Sequence, residues 1–194
     1  DFTNVPLSEC LRRDIIRPEV ERVGHQVIEE MYNQYLALKP QDVVVSPLTI
    51  PYVGDPKLPS AIICDLDGTI SLATNRGPYE HIRCDEDAIN VPILEIIQTF
   101  YWFRDYKILY VSGREECYRP QTEFFLTKHK CPIGLLWMRA TGDHRKDTMV
   151  KQEIFYNEIE GKFRIVFVLD DRDSVCAGWR AMGLTCLQVA PGAF

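Results

Sequence analysis

The stretch of residues 61–70, AIICDLDGTI, constrains the fold of this chain more than any other. Its first four residues are an apolar run of strand length, and the run ends at two carboxylates, Asp65 and Asp67. Carboxylates at the carboxyl end of a parallel strand lie where open α/β sheets bind their ligands. Asp and Gly are also common turn formers, so these residues alone also fit an ordinary turn after a strand. Whether Asp65 and Asp67 belong to a ligand-binding site or to an ordinary turn therefore depends on the motifs in the rest of the sequence.

Further apolar runs follow at regular spacing and alternate with helical patterns. The predicted strands cover residues 61–64, 107–111, 134–138, 165–169 and 185–189, and the predicted helices cover residues 91–104, 118–129, 145–159 and 174–182. This alternation is typical of a doubly wound, Rossmann-like parallel sheet, here of about five strands, in an α/β fold. Residues 71–90 are too long for a simple connection, and we expect them to form a small cap insert over the strand ends.

The ends of the predicted core strands carry an ordered series of charged and hydroxyl side chains. In chain order they are Asp65 and Asp67 after the first strand, Ser112, Gly113 and Arg114 after the second, Arg139 after the third, and Asp170 and Asp171 after the fourth. A hydroxyl, backbone N–H groups and a guanidinium suit a phosphate, and carboxylates are the ligands that Mg²⁺ prefers. Polar loops are general in α/β proteins, but this order of groups is not. The series therefore predicts a site for phosphate chemistry.

Such a site needs a cation that offsets several carboxylates. Lys146 and Lys151, near the start of the predicted helix at 145–159, are candidates, although each also fits an ordinary solvated charge on a helix. Asp147 can orient a basic side chain or simply favour the helix N-terminus. Arg76 in the insert fits substrate binding and a surface position in a loop equally well.

The N-terminal part of the chain differs from this core. Residues 1–39 carry apolar residues at spacings of three and four, which predicts a helical arm with one amphipathic face and Pro18 near its first turn. Residues 40–59 contain five prolines and are predicted to be a linker, so the catalytic domain is expected at residues 60–194. The chain does not begin with methionine, and we interpret it as a processed product or as a piece of a longer protein.

Composition argues against several classes of protein. The net charge of −6 argues against non-specific binding to long nucleic acid, although local arginines can still hold a phosphate. No apolar run reaches the length of a membrane span and the N-terminus lacks a signal-peptide pattern, so no membrane association is expected. The seven cysteines are odd in number and form no CxxC pair, which indicates reduced thiols in the cytoplasm instead of disulfides or a zinc site.

Several stretches together match a known pattern. They are residues 65–69, 76–79, 84–90, 111–115, 142–147, 151–155, 170–172 and 186–194. With these stretches, residues 60–194 resemble the 3′-phosphatase domain of bacteriophage polynucleotide kinase–phosphatases, in the haloacid dehalogenase-like (HAD) superfamily. Residues 1–39 are more weakly similar to the tail of the kinase domain in that family. The kinase pattern GxxxxGK[ST] does not occur in this sequence, so kinase activity is not expected of it.

The resemblance implies a HAD-fold, Mg²⁺-dependent enzyme that removes 3′-phosphates from RNA or DNA ends. Members of that family also open 2′,3′-cyclic phosphates and prepare broken tRNA for ligation. By position, Asp65 would be the nucleophile that forms an aspartyl-phosphate, and Asp67 the general acid and then the base. Asp67 has to be protonated when it donates to the leaving group, so we expect substrate binding to raise its pKa. Mg²⁺ would be held by Asp65, the Asp67 backbone carbonyl and Asp171, with Asp170 close by.

The same resemblance assigns further residues and a cellular setting. The other implied catalytic residues are Arg76, Ser112, Arg114, Asp147 and Lys151, and the implied substrate-binding residues are Thr69, Arg76, Ser112, Gly113, Arg114, Arg139 and Lys151. The implied location is the cytoplasm, of the host cell if the chain is phage-encoded. A kinase domain in the natural polypeptide and a homo-oligomer are both compatible with the resemblance. The preference between RNA and DNA stays open.

Two other interpretations fit the same residues. A HAD phosphatase of small-molecule phosphate esters would share all the catalytic residues and would use Arg76 and the insert differently. A binding or assembly module would use residues 1–39 to pack against a kinase half or another subunit, as their amphipathic face and the missing methionine suggest.

Overall fold

The computed structural model of the chain describes residues 7–35, 51–77 and 80–192. The remainder of the predicted arm and most of the predicted linker, together with Pro78, Tyr79 and residues 193–194 of the matching stretches, lie outside the described residues. The chain divides into two compact units, Asp1–Leu48 and Thr49–Phe194. No helix within the described ranges is long and apolar enough to cross a membrane.

Two helices make up the described part of the first unit. They are α1 (Leu7–Ile15) and α2 (His25–Tyr35), and a short 3₁₀ turn at Glu19–Glu21 lies between them. The Asp14 carboxylate accepts hydrogen bonds from the backbone N–H groups of Val23 (2.9 Å) and Gly24 (3.0 Å), which closes the connection. The described part of the predicted arm is thus mostly helical, but it forms two helices, so its apolar residues do not share one continuous helix face. Pro18 precedes the turn between two helices, where proline cannot continue α1.

The second unit alternates strands and helices along the chain. Its strands are β1 (Ser60–Cys64), β2 (Ser71–Leu72), β3 (Ala88–Ile89), β4 (Lys107–Glu115), β5 (Gly134–Arg139), β6 (Arg164–Asp170) and β7 (Cys186–Gln188). Its helices are α3 (Val91–Arg104), α4 (Arg119–Lys128), α5 (Asp147–Ile154), which continues as a π-helical turn over Phe155–Ile159, and α6 (Asp173–Ala181). Five strands form one parallel sheet in the order β5-β4-β1-β6-β7, so the predicted α/β fold is confirmed.

The central strand β1 has apolar side chains on both of its faces. Ile63 belongs to a buried cluster that includes Trp179 of α6, while Ile62 belongs to a second cluster that includes Ile97 of α3. A parallel sheet with helices on both faces requires such a continuous apolar strand. Because both faces of β1 are covered, the position of its carboxyl end is fixed, and Asp65 directly follows that end.

The predicted insert after the first strand contains a second, small sheet. Strands β2 and β3 pair antiparallel, with Ser71 opposite Ile89 and Leu72 opposite Ala88. A 3₁₀ segment, His81–Glu86, lies between them. The Asn90 side-chain amide donates to the Thr69 carbonyl (2.7 Å), which fixes the end of the insert to the turn after β1. The sequence predicted this insert but not its two short strands.

Replacing Ile62 by alanine is expected to lower the free energy of unfolding by about 2–5 kcal/mol, because truncating a fully buried aliphatic side chain leaves a cavity. The matched control is Ile133→Ala, since Ile133 is 85% exposed. We expect it to change the free energy of unfolding by less than about 0.5 kcal/mol. Denaturant unfolding followed by circular dichroism measures both variants. Equal losses would contradict the position of Ile62 in the core.

Candidate active site

A cavity of about 450 Å³ opens at the carboxyl end of the parallel sheet. Of the predicted site residues, those that line it are Asp65, Asp67, Gly113, Arg139, Asp147, Lys151 and Asp171. The remaining five, Thr69, Arg76, Ser112, Arg114 and Asp170, lie behind this lining. Four of them form hydrogen bonds with lining residues, and Ser112 forms one with Arg114. The structure therefore brings all of the predicted site residues together, in an inner and an outer layer.

Lys151 is the cation at the floor of this cavity. Its Nζ donates to Asp65 Oδ1 at 2.7 Å and to Asp170 Oδ2 at 2.9 Å, and it lies 3.6 Å from Asp147 Oδ2. Asp147 begins α5 and Lys151 lies one turn later, so the two share one helix face. The indole N–H of Trp179 on α6 also donates to Asp170 Oδ2 (3.1 Å). Two helices thus fix the charges at the ends of β1 and β6.

Burial shapes the protonation of this cluster. Burial alone would lower the pKa of Lys151, but the charges of Asp65, Asp170 and Asp147 raise it well above its ordinary value. Burial, with the charges of Asp170 and Asp147, raises the pKa of Asp65 well above its ordinary value, although the charge of Lys151 acts in the opposite direction. Burial and then the charge of Asp170 also raise the pKa of Asp171. The cluster holds more negative charge than one ammonium offsets.

Asp65, Asp170 and Asp171 fit a divalent cation. One carboxylate oxygen from each lies within 4.8 Å of the others, and all three residues are buried. Oxygen ligands of this kind suit Mg²⁺, and a cation among them would relieve the crowding of their charges. The carboxylate of Asp67 is not in this group. Its predicted part in metal binding is through the backbone carbonyl, and that stays a prediction.

The position of Asp171 requires a glycine at position 68, in the turn after β1. Gly68 has a φ of 79°, which side chains disfavour, and a Cβ atom there would collide with the Asp171 carboxylate. The next residue, Thr69, is fully buried and its hydroxyl donates to Asp171 Oδ1 (3.4 Å). Thr69 therefore orients a carboxylate here, and its predicted contact with substrate stays a prediction.

Asp67 is held by two arginines. Arg114 donates through Nε to Oδ2 (2.7 Å) and through Nη2 to Oδ1 (2.8 Å), and Arg76 donates through Nη2 to Oδ1 (2.6 Å). Asp87 holds both arginines from behind, since its carboxylate accepts from Arg76 at 2.6 and 2.8 Å and from Arg114 at 3.2 Å. The Ser71 hydroxyl contacts Asp87 (2.5 Å) and Arg114 (2.9 Å). These five residues form the arginine clamp.

The clamp keeps Asp67 ionised. Burial would raise the pKa of Asp67, but hydrogen bonds and charge from Arg114, together with His81 and Arg76, lower it to about 2. The Arg114 side chain is fully buried and the Arg76 side chain is only 2% exposed, so both guanidiniums face Asp67 and Asp87 instead of the cavity. Direct contact of these arginines with substrate therefore requires a change in the clamp.

Arg139 and Ser112 form hydrogen bonds that support neighbouring parts of the backbone. Arg139 donates through Nε to the Gly113 carbonyl (2.9 Å), through Nη1 to two carbonyls of residues 143–145, and through Nη2 to Asp147 Oδ1 (3.2 Å). It thus supports the loop before α5 while it lines the cavity. Gly113 has to be a glycine, because a Cβ atom there would collide with Asp147. The buried Ser112 hydroxyl accepts from the Arg114 backbone N–H (3.1 Å). This bond supports the irregular end of β4, where the pairing with β5 shifts register between Ser112 and Glu115.

The part of the chain that contains this cavity matches a known family. Residues 59–194 match the model of the polynucleotide kinase PNKP phosphatase domain. The chain belongs to this family. Over 179 residues it is 30% identical to a protein of Autographa californica nuclear polyhedrosis virus whose assigned name is bifunctional polynucleotide kinase/RNA ligase. That match covers 91% of this chain and 25% of the viral protein, so the chain spans about a quarter of this relative's length.

Solved structures of the Pnkp1/Rnl/Hen1 complex contain similar chains. One, in a structure described as an RNA repair complex, is 36% identical with a TM-score of 0.73, over 98% of this chain and 64% of that chain. Another is 31% identical with a TM-score of 0.72, over 96% of this chain and 79% of that chain. These similarities agree with the sequence-based resemblance, which is confirmed at the level of the phosphatase domain.

Two buried residues of this phosphatase domain, Asp87 and Trp179, were not predicted as site residues. Asp87 lies in the matching stretch 84–90, but nothing in its spacing distinguishes it from Asp85. In the structure Asp87 is 2% exposed, whereas Asp85 is only partly buried. Trp179 had no signal beyond the apolar pattern of a helix, and its hydrogen bond to Asp170 depends on how α6 packs.

Replacing Asp87 by asparagine is expected to destabilise the phosphatase domain by about 3 kcal/mol, because it removes a buried partner of Arg76 and Arg114. Asp85→Asn, which changes a partly exposed carboxylate in the 3₁₀ segment just before Asp87, is the matched control and should have little effect. Chemical denaturation at neutral pH compares them. If both variants have the stability of the wild-type protein, the clamp does not depend on Asp87.

The pKa of Asp67 makes stability depend on pH. Its pKa in the folded state is about 2, below its ordinary value of 3.8, so ionisation of Asp67 stabilises the fold above about pH 4. This contribution is lost as the pH falls from about 4 towards 2, as Asp67 becomes protonated. Asp67→Asn is expected to flatten this part of the profile of unfolding free energy against pH. The exposed Asp55→Asn should retain the wild-type slope, and an unchanged slope in Asp67→Asn would contradict the ion pair.

Proposed function

We propose that this chain is a Mg²⁺-dependent polynucleotide 3′-phosphatase that acts on RNA or DNA ends in RNA repair, through an aspartyl-phosphate intermediate. The observation that carries the proposal is one cavity that holds a buried Asp65–Lys151 ion pair beside Asp67 and its two arginines. Membership of the polynucleotide kinase phosphatase family supports the same substrate class. We include the opening of 2′,3′-cyclic phosphates as a second activity of this site.

The first step is attack by Asp65. Its carboxylate oxygen forms a bond to phosphorus while the bond between phosphorus and the ribose 3′-oxygen breaks. Asp67 gives its proton to that leaving oxygen, which departs as a hydroxyl. In the second step Asp67 takes a proton from water, and the water oxygen attacks the phosphoryl group. The bond between phosphorus and the Asp65 oxygen breaks, which releases inorganic phosphate and regenerates the Asp65 carboxylate.

The arginine clamp has to loosen before this chemistry. Without substrate, Arg114 and Arg76 keep Asp67 ionised, and an ionised carboxylate cannot donate a proton. A phosphate monoester brings negative charge next to Asp67, which raises its pKa, and it competes for the guanidinium N–H groups. The arginines would then bind the phosphate, as the family resemblance implies. Substrate binding and protonation of Asp67 are thereby coupled.

Asp65, Asp171 and the Asp67 backbone carbonyl would hold Mg²⁺, with Asp170 close by. The bound cation supplies neutralisation of the charge on the transferring phosphoryl group. Lys151 adds a second positive charge at the Asp65 oxygen. Asp147 and Arg139 keep Lys151 and the loop before α5 in position. Each of these roles is part of the proposal.

We also propose that the chain works beside a kinase. Residues 1–39 would be the tail of a kinase domain, residues 40–59 a linker and residues 60–194 the phosphatase domain. The support is that the viral relative is named as a polynucleotide kinase and RNA ligase, and that this chain spans 25% of it. Similar chains occur in the Pnkp1/Rnl/Hen1 complex. A cytoplasmic location, in a host cell if the chain is phage-encoded, and a homo-oligomer belong to the same proposal.

Phosphate release from a 3′-phosphorylated RNA oligonucleotide tests the proposed activity. We expect release with Mg²⁺, loss of release with excess chelator, and a fall of more than about a thousandfold in kcat for Asp65→Asn, because no nucleophile remains. Asp105→Asn, a change of a 93% exposed carboxylate, is the control and should retain full activity. Normal activity in Asp65→Asn would contradict the mechanism.

The same assay separates the substrate classes. The oligonucleotide is compared with its DNA counterpart, a nucleoside 3′-monophosphate and a sugar phosphate. Turnover of the sugar phosphate without turnover of either oligonucleotide would retain the phosphatase and overturn the nucleic-acid assignment.

A further inference from the structure

Two aromatic side chains, His81 and Tyr118, line the cavity together with the carboxylates. Their rings meet edge to face, with centroids 5.8 Å apart and an interplanar angle of 73°. His81 begins the 3₁₀ segment of the insert, and Tyr118 ends a short 3₁₀ turn, Glu116–Tyr118, that precedes α4. The two rings therefore come from separate elements and form one wall, which we call the aromatic wall. None of the steps proposed above uses it.

The aromatic wall lies next to Asp67. His81 Nε2 is 3.9 Å from Asp67 Oδ2, and the His81 side chain is only 15% exposed. In the proposed reaction Asp67 protonates the 3′-oxygen of the leaving ribose, so that ribose has to lie against Asp67. The terminal base is attached to the same ribose. The base therefore has to lie within about one sugar ring of Asp67. His81, one of the two rings of the aromatic wall, lies next to Asp67 at this distance.

Tyr118 is suited to receive a base. It is partly buried, and an edge-to-face contact with His81 occupies at most one face of its ring. Stacking of a base on an aromatic side chain tolerates any sequence, because every base has a π-face. Such a surface would recognise a nucleic-acid end without selecting one of the four bases.

The cavity also has a cationic part. Arg145, Lys146 and Arg172 line it together with the aromatic wall. Arg145 also forms ion pairs with Asp143 and Glu153, and Arg172 with Asp147, so a nucleic-acid backbone would share these arginines with the carboxylates. Aromatic rings combined with positive charge are what proteins use to bind single-stranded nucleic acid, the rings for the bases and the charges for the backbone.

We propose that Tyr118, supported by His81, is the stacking surface for the base of the 3′-terminal nucleotide. The cavity then favours a nucleotide end over an ester that has no base. This inference rests on the proposed function and adds to it the part of the substrate that is recognised beside the phosphate.

The test compares three substrates at saturating Mg²⁺. They are a 3′-phosphorylated oligonucleotide, the same oligonucleotide with an abasic terminal nucleotide, and glycerol 2-phosphate, which has no ring. For the wild-type protein we expect kcat/KM to be about tenfold higher with the terminal base than without it, the value of roughly one base–aromatic stack. Tyr118→Ala and Tyr118→Leu should bring this ratio close to one, and Tyr118→Phe should restore it. Tyr156→Ala, a change of an exposed tyrosine, should leave the wild-type ratio.

Other results would overturn the inference. If the wild-type protein does not distinguish the abasic substrate, no base is stacked. If Tyr118→Ala lowers kcat/KM equally for all three substrates, the ratio is unchanged and Tyr118 has only a structural role. Hydrolysis of glycerol 2-phosphate without hydrolysis of either oligonucleotide would overturn the proposed function itself, and this inference with it.

Discussion

A lysine ammonium buried among carboxylates is the interaction on which this site depends. Lys151 is 2% exposed and contacts Asp65 and Asp170 at 2.7 and 2.9 Å. Removing a charge from water costs several kcal/mol unless opposite charges surround it, so the ammonium and these carboxylates have to stay together. The arrangement of the helices meets this requirement. Helix α5 places Lys151 at the end of β1, and α6 places Trp179 against Asp170.

Asp67, two residues after Asp65, has the opposite balance of charge. Its carboxylate meets two guanidiniums, and Asp87 and Ser71 hold those guanidiniums from the insert. The insert is therefore part of the site as well as a cover over it. Neighbouring carboxylates thus acquire different properties. Asp65 lies in an acidic, crowded environment that favours a cation, and Asp67 lies in a basic environment that keeps it ionised.

There is a physical reason why the sequence could predict the parallel sheet and the meeting of the site residues at one edge of it. A parallel strand covered on both faces has to be a continuous apolar run, and the carboxyl ends of such strands meet at one edge. It could not predict what each side chain contacts. Nothing in the residues around Arg114 shows that its guanidinium faces Asp67 inside the protein, or that Asp87 points inward while Asp85 does not. Those directions depend on packing between segments far apart in the chain.

The same limit applies to the N-terminal arm. An apolar repeat at helical spacing predicted helix over residues 1–39, and the described part contains two helices with a break between them. The repeat could not show the break, because the turn between α1 and α2 is closed by hydrogen bonds from two backbone N–H groups to the Asp14 carboxylate. An aspartate near a helix end can accept hydrogen bonds from many different groups, so its partners are known only from the folded structure.

The most direct test of the central claim is to identify the residue that carries the phosphoryl group during turnover. The phosphatase domain is mixed with a 3′-phosphorylated oligonucleotide, quenched in acid and reduced with borohydride, which converts an aspartyl-phosphate to homoserine. Peptide mass spectrometry then locates the change. We expect homoserine at position 65 and no other. Homoserine at position 67, or full turnover with no change at Asp65 in any quenched sample, would contradict the assignment of Asp65 as the nucleophile.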